Sequence, residues 1–128
     1  MDVFVYGLLA NREVLFLLTR SVIDPVDAWL HDYEEARAPT GEPTIRKNPG
    51  CRVRGLLIRE PSELFLRRLD WYHGPNYHRE TLRVSSERGT AQALVYSLAL
   101  ERKVPEGAID NLRLSSARRS ARSRQRNP

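Results

Sequence analysis

Apolar side chains occur along this chain in short runs separated by turn-forming residues, and the spacing within each run predicts its element. Val3-Phe4-Val5-Tyr6 is β-branched and aromatic and stops at Gly7, the pattern of a buried strand entering a tight turn. Asn11 is placed to cap a helix whose buried face is Val14, Leu15, Leu17 and Leu18. Asp24-Pro25 breaks the chain, and Ala28, Leu30 and Asp32 then alternate with Trp29, His31 and Tyr33 as a second strand. Residues 34–50 hold Pro39, Gly41, Pro43, Pro49 and Gly50, which predicts loop with a short strand near Thr44 to Arg46. Alternation returns from Cys51 into Leu56-Leu57-Ile58, predicting a strand over 51–59.

Pro61-Ser62-Glu63 then opens a helix with Leu64, Phe65, Leu66, Leu69 and Tyr72 as its buried face, ended by Gly74-Pro75. Strands over 78–85 and 90–98 follow, separated by Glu87-Arg88-Gly89, and Pro105-Glu106-Gly107 begins a last short helix through Leu112. Five to six short strands with two to three helices predict an α+β fold, a small closed mixed β-barrel rather than a doubly wound sheet.

At 128 residues the chain is the size of one domain, and no apolar run approaches the roughly 18 residues that span a bilayer. The start, Met1-Asp2-Val3-Phe4, lacks the basic region of a signal peptide, so the expected location is the cytoplasm. Cys51 is the single cysteine, which excludes an internal disulfide framework and a thiolate-rich zinc site. The net charge of +5 suggests nucleic acid until its distribution is read. Residues 113–128 hold six arginines and no acidic residue, leaving 15 basic and 16 acidic residues in 1–112. The expected organisation is therefore a near-neutral domain over 1–112 and a disordered Arg-rich tail over 113–128, with solubility or weak, salt-dependent contact with RNA as its role.

Phosphate-binding, dinucleotide-binding and hydrolase motifs are absent, and His31, His73 and His78 form no helical i, i+4 pair, so no metal site is expected. Two segments stand out: Phe4-Val5-Tyr6-Gly7-Leu8-Leu9, and Leu69-Asp70-Trp71-Tyr72-His73-Gly74-Pro75-Asn76-Tyr77-His78-Arg79. In this order they resemble the gamma-glutamylcyclotransferase-like (AIG2-like) family, which opens with V-F-V-Y-G-[ST]-L and later carries L-D-x-[FY]-E-G-x-x-Y-x-R. Leu30-His31-Asp32-Tyr33, Pro43-Thr44-Ile45, Asn48-Pro49-Gly50, Val53-x-Gly55 and Ala93-Leu94-Val95-Tyr96 extend the likeness over roughly residues 3–98.

The resemblance implies a barrel with outer helices and a pocket at one end. It also implies a cofactor-free reaction in which the α-amine of a γ-glutamyl amine attacks its own γ-carbonyl, closing 5-oxoproline and expelling an amine. Tyr6, Gly7, Leu8 and Leu9 would cradle the glutamyl part through backbone N–H groups, and Tyr77 and Arg79 keep the family's Y-x-R pattern. The family's acid-base glutamate is His73 here, and its serine or threonine after the glycine is Leu8.

A histidine can exchange protons near neutral pH but offers no negative charge to an ammonium. Three roles for His73 stay open: a substitute base, a group fitting a different ligand, and a relic in an inactive, ligand- or partner-binding barrel. An open polar pocket suits chemistry, whereas a stack on Trp71 or Tyr72 without a cavity suits a relic. Arg79 can brace the pocket or pair with Asp70. Glu34, Glu35 and Glu42 lie on or near the proline-rich loop, which can fold over a barrel mouth, Glu80 begins a strand, and sequence spacing places none of the four in the pocket.

Overall fold

The structure, a computed structural model, describes residues 1–98. The predicted helix over 105–112 and the arginine tail lie outside them. Five strands, β1 (Asp2–Tyr6), β2 (Val26–Arg37), β3 (Pro43–Ile58), β4 (His78–Ser86) and β5 (Gly89–Ser97), close into a barrel in the order β1-β3-β2-β4-β5. Neighbours are antiparallel except β1 and β5, which run parallel with Val3 opposite Leu94. Between β1 and β2 come a 3-10 turn (Gly7–Leu9) and helix α1 (Arg12–Thr19), and between β3 and β4 comes helix α2 (Glu63–His73).

Alternation along the strands divides the core into two layers. Phe4, Leu30, Val53, Leu57, Val84 and Val95 fill the barrel. Val3, Val5, Leu56 and Ile58 face outward and are covered by Leu15 of α1 and by Phe65 and Leu69 of α2. Val3, Phe4 and Val5 are thus all buried, because β1 has a core on each face.

The helices start where their caps stand. The Asn11 side chain accepts from the N–H groups of Glu13 (2.8 Å) and Val14 (3.1 Å), and Ser62 Oγ accepts from Phe65 N (3.1 Å). Their buried faces are narrower than the sequence suggests. In α1 Leu15 is buried with Val14 and Leu18 beside it, whereas Leu17 is 65% exposed, because two residues along a helix is more than half a turn. In α2 only Phe65 and Leu69 are fully covered, while Leu64 and Tyr72 remain exposed.

The largest departure is over 34–50. Instead of a loop with a short central strand, β2 and β3 continue as a long hairpin, with Tyr33 opposite Lys47 and Arg37 opposite Pro43. Proline is tolerated because Pro43 is the first residue of its strand, and Pro49 and Gly50 fall where the register shifts between His31 and Tyr33. There Asp32 has φ +67° and accepts Gly50 N at 3.1 Å. Among the described residues no helix is long and apolar enough to cross a membrane.

Candidate functional site

A cavity of about 290 Å³ opens at one end of the barrel, where the end of β1, the tip of the β2–β3 hairpin and the end of α2 converge. Its first wall is Tyr6 and the turn Gly7-Leu8-Leu9. Gly7 has φ +64°, which glycine adopts without the Cβ penalty of other residues. Leu8 is 68% exposed and gives the rim an apolar edge, while Leu9 is buried. The Tyr6 hydroxyl donates to the Tyr96 carbonyl at 2.6 Å, linking β1 to β5 at the cavity. Burial, reinforced by neighbouring Tyr77, raises the Tyr6 phenol far above the ordinary tyrosine range.

His73, the last residue of α2, forms the opposite wall. Its ring lies parallel to that of Tyr96 with centroids 3.9 Å apart, and meets Tyr77 (4.9 Å) and Tyr72 (5.3 Å) edge-on. Nδ1 lies 2.8 Å from the Leu69 carbonyl. A carbonyl only accepts, so Nδ1 carries the proton and Nε2 of the neutral ring is the acceptor. Burial lowers the His73 pKa below 6.5, against the opposing pull of the Leu69 carbonyl and Asp70, so the ring is neutral at pH 7. The histidine therefore has a cavity beside it, and its stacking partner is Tyr96. Trp71 is 81% exposed.

Behind the stack, the Tyr96 hydroxyl donates to Asp70 Oδ1 at 2.5 Å, and Arg79 Nε lies 3.5 Å from the same oxygen. Tyr96 is 3% exposed, and its phenol is raised well above its ordinary range, first by burial and then by Asp70. On the third side, the Tyr77 hydroxyl donates to the Pro43 carbonyl at 2.6 Å and ties the hairpin to the segment after α2. Burial raises the Tyr77 phenol, and the negative charge of Glu42 adds to the shift.

Six of the seven site residues expected from the sequence, Tyr6, Gly7, Leu8, Leu9, His73 and Tyr77, line this one cavity. Arg79 does not; it reaches Asp70, the alternative noted above, and with Asp70, Tyr77 and Tyr96 it lines a separate pocket. Of the four carboxylates in question, only Glu42 lines the cavity. Glu34 is paired with Arg46, and Glu80 accepts from Ser97 Oγ at 2.7 Å beside His78. Glu35 comes near the turn, with Oε1 3.7 Å from where a Cβ on Gly7 would lie, without lining the cavity.

Glu42, Pro43, Tyr72 and Tyr96 also belong to the lining and were not among the expected site residues. Reading 34–50 as a hairpin would have revealed the first two, since its tip must then fall at the end of the barrel. Tyr96 follows from the parallel register of β1 and β5, which strand alternation does not reveal.

The model of the family described as gamma-glutamyl cyclotransferase, AIG2-like, matches residues 3–112. Solved structures of the same fold include a protein of Arabidopsis thaliana at 23% identity, TM-score 0.65, covering 91% of this chain and 74% of that one. An uncharacterized protein of Homo sapiens aligns at 21% identity and TM-score 0.66, covering 77% of this chain and 66% of that one. A structure named gamma-glutamyl cyclotransferase aligns at 22% identity and TM-score 0.64 over the same shares. A comparison with curated proteins finds no match. With the family model spanning the barrel and all the cavity-forming segments, this chain belongs to the gamma-glutamyl cyclotransferase, AIG2-like family.

Proposed function

We propose that the cavity takes a small γ-glutamyl amine or related amide and releases 5-oxoproline from it, with His73 in the acid-base role that a glutamate has in relatives. The observation that carries this reading is a neutral His73 at a cavity wall, with Nδ1 committed to Leu69 and Nε2 left as the proton acceptor. A volume of about 290 Å³ is at the low end of small-molecule sites and suits a ligand of this size. In the step envisaged, Nε2 takes a proton from the ligand's α-ammonium, and the freed amine attacks the γ-carbonyl. The new N–C bond closes the ring as the C–N bond to the leaving amine breaks. The proton held on Nε2 passes to the departing nitrogen, and the attacking nitrogen gives up its second proton through Nε2 to the same amine, so 5-oxoproline and an ammonium product leave and the imidazole ends neutral. Because attack is intramolecular, holding the ligand in a folded conformation supplies much of the acceleration. The turn Gly7–Leu9 takes the ligand carboxylate through its backbone N–H groups.

The test is release of 5-oxoproline from a panel of γ-glutamyl amines, with His73→Ala lowering the rate about 10²- to 10⁴-fold. No product from any member at high protein concentration would overturn the catalytic reading. A second reading, a barrel that binds without turnover, is favoured by the flat stack of His73 on Tyr96 and by the apolar Leu8 at the rim. It predicts a saturable thermal shift with an amphipathic ligand, no product, and gain of cyclotransferase activity in His73→Glu.

A further inference from the structure

Exchanging a glutamate for histidine removes the negative charge that would face the ligand's ammonium, and a neutral ring whose Nδ1 hydrogen goes to Leu69 does not restore it. Among the described residues lining the cavity, Glu42 is the one side chain with a formal negative charge. It stands at the tip of the β2–β3 hairpin, a different element from the α2 that carries His73, and its backbone carbonyl accepts from Ala38 N at 2.9 Å. Thr40 Oγ1 donates to its Oε1 at 3.0 Å, leaving Oε2 for a ligand. The tip is tied down beside the histidine, because Pro43, the next residue, accepts from the Tyr77 hydroxyl, and the Tyr77 ring touches His73. Glu42 also acts on the cavity electrostatically, since its charge helps raise the Tyr77 phenol.

We infer that Glu42 is the ammonium-binding residue of this cavity: the counter-charge has moved from the end of α2 to the hairpin tip, separating the grip on the amine from proton transfer. This rests on the γ-glutamyl reading above and adds to it a recognition group from a different element. It makes the ammonium, which ring closure already requires as nucleophile, a group recognised in binding as well.

The experiment measures calorimetric binding of γ-glutamyl ethylamide and of glutaric acid monoethylamide, which is the same molecule without the α-amine. The proteins are wild type, Glu42→Gln and Glu35→Gln. Wild type should favour the amine-bearing ligand about 10- to 100-fold, the range for a hydrogen bond between charged groups. Glu42→Gln should bind both ligands as weakly as wild type binds the deaminated one, and Glu35→Gln should keep the preference. Glutamine still accepts from Thr40, so an unchanged melting temperature is expected, and partial recovery in Glu42→Asp would support the charge as the cause. A preference retained in Glu42→Gln, or lost in Glu35→Gln, overturns the inference and leaves the γ-glutamyl reading standing. Binding of neither ligand to wild type overturns both.

Discussion

Gly55 pairs with Tyr6 at the end of β1 that leads into the cavity, and replacing it by alanine tests the packing beneath that wall. A Cβ at Gly55 would lie 2.2 Å from the Val5 carbonyl oxygen and 2.7 and 2.9 Å from Cζ and Cε1 of Phe4. Ordinary contact begins near 3.4 Å, so the carbonyl and the new methyl must separate by about 1 Å. Neither neighbour yields readily. The carbonyl belongs to a strand held by β3 on one side and β5 on the other, and the Phe4 ring is fully buried inside the barrel. Overpacking costs typically about 1–3 kcal/mol, and a clash with backbone belongs at the top of that range, about 3 kcal/mol.

For a domain of this size, at about 2.1 cal/mol/K of unfolding entropy per residue, that is a fall in melting temperature of roughly 11–13 °C. Thermal unfolding followed by far-ultraviolet circular dichroism measures it. Gly50→Ala separates clash from backbone strain: nothing lies within 4 Å of its Cβ position, but φ is +89°, so a cost of about 1–2 kcal/mol is expected. In a Phe4→Leu background the ring contacts relax while the Val5 contact stays, so the penalty of Gly55→Ala should shrink without vanishing. A Gly55→Ala protein melting within about 3 °C of wild type, or above Gly50→Ala, would refute the reasoning.

Tyr96→Phe removes the hydroxyl from Asp70 and leaves the stack on His73. Hydrogen bonds to charged groups contribute about 1.5–3 kcal/mol; the lower end applies, because the Asp70 side chain is 43% exposed and keeps Arg79. A urea-denaturation loss below about 0.5 kcal/mol would rule out that bond as a support of the stack. His73 also makes stability depend on pH. Its folded pKa lies below 6.5, so between the two values the unfolded chain binds more protons and stability rises with pH. The contribution is complete above about 6.5 and is lost as pH falls toward the folded value. Stability measured from pH 8 to 5 should therefore fall less steeply in His73→Gln than in wild type, and parallel profiles would show that burial does not depress this histidine.

Where a local signal decides an element, it was legible. Asn11, the run Pro61-Ser62-Glu63 and Gly74 mark helix ends because capping and stopping are chemistry between near neighbours in the chain. The closed barrel was legible in the number of short strands against few helices and in motifs that resemble a family, whereas alternation alone identifies strands without their partners. The hairpin over 34–50 was hidden because its prolines and glycines sit at a strand start, at the tip and at a register shift, where they do not oppose pairing. Glu42 was hidden for the same reason: its place over the cavity depends on the register of β2 with β3. His73 was found by position in a motif, while its partner Tyr96 required a contact between α2 and β5 that no short-range pattern encodes.

The parallel seam between β1 and β5 bears on how the barrel is made. β1 leaves the ribosome before both of its partners, which are Leu56 and Leu57 in β3 and, ninety residues after Tyr6, the strand that ends near Tyr96. Loop-closure entropy grows slowly with length, so this separation weighs little on the final stability. It weighs more on rate, because contacts so distant in sequence slow folding. The β2–β3 and β4–β5 hairpins, each joined through a short turn, can zip up locally beforehand. The Tyr6–Tyr96 bridge then belongs to a late event, and the wall of the cavity forms when the barrel shuts rather than when its strands appear.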